Sequence, residues 1–177
     1  MKSGHLYHDD VQGILGTALS GTTQWTLREL RTTGVVIPHI ARNDIFSMIF
    51  QMTHRKKLQT PCDSVHIHYV PIASANGNIV FDFTWGWFNH GDVIPATLPN
   101  SGSKTITLAT TDQYKMKLDT LIADMAAPSS EVYSSILMVK IQRVTTGDTW
   151  GTGEIALAYL DAHVDVDRFG SYNEATD

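Results

Sequence analysis

The chain has 177 residues, 42% hydrophobic and 18% charged, with a net charge of −5. That length is one ordinary domain, able to bury roughly 70% of its unfolded surface without disulfides or metals, and the composition excludes a disordered acidic chain or a coiled coil. The negative charge excludes a nucleic-acid binder that works by neutralising phosphates.

Thr, Val and Ile number 46, and 20 of them are Thr, an excess that favours sheet over helix. Residues 1–24 stand apart: Gly4, Gly13, Gly16 and Gly21 interrupt any period, and Val11, Ile14, Leu15 and Leu19 make only a weak helical stripe. This segment is expected to be an extended arm that orders against a partner, followed by a sandwich over 25–170 and a tail over 171–177.

From Trp25 onward, strands and turns alternate. Residues 33–38 are a short β-branched run. Over 44–53, Phe46, Met48, Phe50 and Met52 alternate while Ile45 and Ile49 also suit a helix, so a strand apolar on both faces is expected with a helix as its rival. His54-Arg55-Lys56-Lys57 reads as a solvated turn. Residues 64–70 form a strand with Val65, Ile67 and Tyr69 on one face and His66 and His68 on the other. Asn76-Gly77-Asn78 is a hairpin signal.

The next strand places Ile79, Phe81, Phe83, Trp85 and Trp87 on one face, toward a core or a partner. After a loop with Pro95 and Pro99, residues 104–109 are another strand. Over 113–127 the alternation of Tyr114, Met116 and Leu118 argues strand, while Leu118, Leu121, Ile122 and Met125 suit a helix; a strand leading into a short helical turn is expected. Residues 132–144 form a strand with Leu137, Val139 and Ile141 inward, and 154–167 form the last. This pattern predicts an all-β fold, an antiparallel two-sheet sandwich of jelly-roll type with an N-terminal arm.

Chemistry is sparse. His66-x-His68 puts two imidazoles on one side of a strand, and Asp161, His163 and Asp165 repeat that spacing. A jelly roll with His-x-His invites comparison with cupins, but the Glu that should follow is absent: the chain continues Tyr69-Val70-Pro71-Ile72-Ala73. The bland reading pairs these histidines with carboxylates or carbonyls. Cys62 has no arranged partner, and Gly-x-Ser-x-Gly is absent. The glycine-rich run from Gly147 to Gly153 opens no helix and is no phosphate cradle. Trp87, Phe88 and Trp150 lie near strand ends, where they close the core or, in a carbohydrate- or receptor-binding module, stack on sugars. No catalytic residue, metal ligand or cofactor is expected.

A single cysteine forms no internal disulfide. No apolar region follows Met1-Lys2, and no run of 18 apolar residues occurs, so neither a secretory signal nor a membrane partner is expected.

Several segments resemble jelly-roll structural proteins of tailed-bacteriophage virions. They are Phe46-Ser47-Met48-Ile49-Phe50-Gln51-Met52-Thr53-His54, then Asp63-Ser64-Val65-His66-Ile67-His68-Tyr69, then Phe81-Asp82-Phe83-Thr84-Trp85. Ser134-Ser135-Ile136-Leu137, Gln142-Arg143 and Ala158-Tyr159-Leu160-Asp161-Ala162-His163 continue the likeness, which covers about residues 40–166. Thr53 stands where a Pro is usual in that set. The resemblance implies a non-enzymatic decoration, cement, neck or fibre-associated subunit, made in the host cytoplasm and carried in the virion. It implies capsid or neck proteins as partners and a homo-oligomer. On that reading Leu6, Tyr7, Val11, Ile14 and Leu15 of the arm are the expected attachment residues.

Overall fold

The computed structural model describes residues 7–12, 14–16, 25–51, 63–125 and 135–166, the first two segments by their backbone pairing alone. The strands are β1 (Tyr7–Gln12), β2 (Ile14–Gly16), β3 (Thr26–Glu29), β4 (Val36–Ile40), β5 (Ile45–Gln51) and β6 (Asp63–Pro71). They continue as β7 (Gly77–Phe88), β8 (Asn100–Leu108), β9 (Lys117–Met125), β10 (Ile136–Val144) and β11 (Ile155–Val166), with one 3-10 turn at Thr110–Asp112.

One sheet, sheet A, runs β3-β4-β11-β6-β9, with β1 also paired to β11; the other, sheet B, runs β2-β5-β10-β7-β8. Every pairing is antiparallel. From β4 onward the chain crosses between sheets so that β4-β11-β6-β9 faces β5-β10-β7-β8. That interleaving is the double Greek key of a jelly roll, so the expected fold class holds.

The alternating strands bury their apolar positions between the sheets. Val65, Ile67 and Tyr69 of β6, Ile79 and Phe81 of β7, and Leu137 and Ile141 of β10 are fully buried. On β5, Phe46, Met48 and Phe50 face inward while Ile49 is exposed, so this is a strand with one wet face. The helical alternative fails because β5 pairs with β10 along its whole length.

Two expectations are corrected. Asn76-Gly77-Asn78 makes no hairpin, because β6 and β7 lie in different sheets. Gly77 is there because a Cβ would stand 2.7 Å from the Cα of Trp150. The run over 113–127 begins as a turn, with Tyr114 at a positive φ of 59°, and becomes a strand only at Lys117. Register shifts between β6 and β9 bury Leu121, Ile122 and Met125 together, so irregular strand pairing reproduces the helical spacing. Within 1–24, β1 joins β11 in sheet A and β2 joins β5 in sheet B of the same chain. Leu6, the basic run 54–57, Cys62 and the tail 171–177 lie outside the described residues.

One end of the sandwich is closed by a buried guanidinium. Arg143 is fully buried on β10. Its Nε donates to Asp148 Oδ2 at 2.8 Å, and its terminal nitrogens donate to the carbonyls of Ile40, Gly151 and Gly153. Arg42 reaches the other oxygen of Asp148 at 2.9 Å. A buried charge is tolerated only when paired and hydrogen-bonded in this way. The loop after β10 is tied further: Trp150 Nε1 donates to the Ala75 carbonyl, and the backbone amides of Thr149 and Trp150 donate to the Asn78 carbonyl.

Candidate functional site

The outward face of sheet A carries the group richest in chemistry. His66 and His68 alternate with the buried Val65, Ile67 and Tyr69 and therefore point outward. A cupin-type metal would need them inside the barrel, where those apolar side chains stand instead.

Strand β11 supplies the rest through a bulge. Tyr69 pairs with Leu157, but the next residue, His68, pairs with Tyr159, leaving Ala158 as the extra residue. The inward positions are Ile155 and Leu157 before the bulge, and Leu160 and Ala162 after it. Tyr159, Asp161 and His163 are thereby set opposite His68, His66 and Ser64. Without the phase shift, odd-numbered residues would continue inward, and Asp161 would enter the apolar core. Bulges commonly re-aim side chains in this way.

The resulting contacts centre on one carboxylate. Asp161 is 5% exposed. Its Oδ2 lies 3.0 Å from His163 Nε2, and its Oδ1 lies 3.3 Å from His68 Nε2. The second contact is within ion-pair range but lacks hydrogen-bond geometry, and among the described residues neither atom has a hydrogen-bond partner. His66 and His163 rings approach to 4.0 Å between centroids, His66 Nε2 is 3.0 Å from Ser64 Oγ, and His68 stacks on Tyr159 at 4.0 Å. Ligand atoms of His66, Asp161 and His163 all lie within 4.8 Å of one another. Spacing alone identified both His-x-His and Asp-x-His; the bulge that places them on one face had no sequence signal.

The same face is rimmed by apolar side chains. Leu118, opposite His68 on β9, is 53% exposed, and Tyr159 is 41% exposed. Met116, just before β9, is also exposed; Leu27 and Val36, exposed on the β3–β4 edge, share the side of the buried Ile40 and lie on the other face. Of the expected attachment residues, Tyr7 and Val11 lie on β1 beside β11, and Ile14 and Leu15 lie on β2 in the other sheet. The structure therefore does not bring the arm residues together on one strand.

The sugar-stacking aromatics are not available. Trp87, Phe88 and Trp150 are each at most 9% exposed. Trp87 Nε1 donates to Ser135 Oγ at 2.9 Å. Trp87 and Trp150 belong to the core, the structural one of the two readings, and Phe88 is buried over Gly86 on the outer side of β7. On sheet B, a shallow polar groove of about 490 Å³ is lined by Asp82, Thr84, Ser101, Ser103, Lys140 and Gln142 beside Phe83 and Gly102.

Two buried acid–base groups belong to the scaffold. Burial raises Asp44 above the usual carboxylate range, opposed by the hydrogen bond its Oδ2 accepts from the Ala41 amide. Burial, and then its hydrogen bond to Asp119, push the Tyr69 phenol far upward, so it stays protonated as a donor.

No protein-family model and no curated protein matches the chain. Among solved structures the chain is similar to TmCBM61, a carbohydrate-binding module solved in complex with β-1,4-galactotriose. Identity is 8% and the TM-score 0.30, over 78% of this chain and 86% of that one.

Proposed function

We propose that this chain is a non-enzymatic structural subunit of a bacteriophage virion, docked on the capsid or neck through subunit contacts. The observation that carries the reading is the outward face of sheet A, where Leu118, Met116 and Tyr159 stay exposed around the histidine cluster. Exposed apolar side chains grouped on one sheet face mark an interaction surface. The jelly-roll winding and the resemblance of residues 40–166 to tailed-phage virion proteins support the same reading. A particle repeats such a contact by symmetry, so individually weak contacts accumulate into stable attachment.

Immunogold labelling of purified phage particles from the source tests this. Regular label over the head supports a decoration or cement role, and label confined to the neck or fibres supports an adaptor role. Absence of label on both intact and opened particles overturns the reading.

A further inference from the structure

We propose that His66, Asp161 and His163 form a binding site for one divalent first-row transition-metal ion on the outward face of sheet A, with zinc as the natural probe. The juxtaposition comes from two strands, β6 and β11, paired so that His66 lies opposite Asp161, with His163 two residues farther along β11.

The donor set is the first argument. Two imidazoles and one carboxylate are a ligand set that zinc and its neighbours accept, with a further position left to water. The spacing is the second. Metal–ligand bonds of about 2.0–2.1 Å put neighbouring ligand atoms roughly 2.9–3.4 Å apart. Asp161 Oδ2 and His163 Nε2 are already 3.0 Å apart, and all three residues offer a ligand atom within 4.8 Å of the others.

Charge is the third argument. Asp161 is nearly buried, and its Oδ1 has no hydrogen-bond partner among the described residues. A carboxylate so placed is stabilised by positive charge beside it. A dication supplies it while the imidazoles stay neutral, the form in which they ligate. The surroundings fit as well. Ser64 Oγ sits 3.0 Å from His66 Nε2, and His68 stands 3.3 Å from the second oxygen of Asp161, both placed as outer-shell groups that orient ligands. Finally, the Ala158 bulge is what turns Asp161 and His163 outward to meet His66. The inference stands on this geometry and does not depend on the virion reading.

The test is calorimetric titration of zinc chloride into the full chain, prepared without a histidine tag and stripped of metal. Wild type is expected to bind one zinc per chain. His163→Ala and His66→Ala are expected to weaken binding by about 100-fold or more, since loss even of an outer-shell group costs about 10–100-fold. His163→Ala also removes the imidazole 3.0 Å from the nearly buried Asp161 carboxylate, so each variant's zinc response is read against its own metal-free melting temperature. His90→Ala, an exposed loop control, should bind like wild type. Added zinc should raise the melting temperature of wild type and His90→Ala alone. No saturable binding by wild type, or equal binding by His163→Ala and His66→Ala, overturns the proposal.

Discussion

Arg143 shows how a single side chain organises one end of this molecule. It has no exposed surface, yet it is charged, and its partners are Asp148 and the carbonyls of Ile40, Gly151 and Gly153. The loop after β10 and the end of β4 are thus held to one guanidinium. Breaking a buried pair by removing one partner typically costs about 3–5 kcal/mol, because the other charge is left stranded. Here Arg42 still reaches Asp148, which should keep Arg143→Met near the lower end, about 3 kcal/mol. Urea unfolding of Arg143→Met checks this; a midpoint equal to wild type would show that the cluster contributes nothing to stability. Period two puts Arg143 on the inward face after Leu137, Val139 and Ile141; what the sequence did not mark was its partners, which lie in distant loops.

At the scale of elements, regular alternation was legible and irregular pairing was not. The inward faces of β6, β7 and β10 follow from period two alone, and Val65, Phe81 and Leu137 lie where that period puts them. The stretch around Leu118, Leu121, Ile122 and Met125 resisted because shifts in register insert residues, and an inserted residue converts a spacing of two into three. The same physics hid the candidate site: both His-x-His and Asp-x-His were visible, but their common face depends on Ala158. Asn76-Gly77-Asn78 misled for a different reason. Its glycine answers to a close approach by the Trp150 backbone and not to a two-residue turn. Gly77→Ala should therefore cost about 1–3 kcal/mol through overpacking. Thermal unfolding measures it, and an unchanged melting temperature would contradict the contact.

For the whole molecule, the jelly-roll winding leaves two outward sheet faces of different character. On sheet B, Asp82, Thr84, Ser101, Ser103, Lys140 and Gln142 make a polar surface. On sheet A, Leu118, Tyr159 and the neighbouring Met116 are exposed around an imidazole–carboxylate cluster. That asymmetry is what a subunit docked on one side requires, with the other side left wet. The central claim is that sheet A is the docking side, and cosedimentation with phage particles assembled without this protein tests it most directly. Wild type should pellet with the particles, while the folded double variant Met116→Lys/Leu118→Lys should stay in the supernatant. If that variant pellets as fully as wild type, or wild type itself remains free, the account is contradicted.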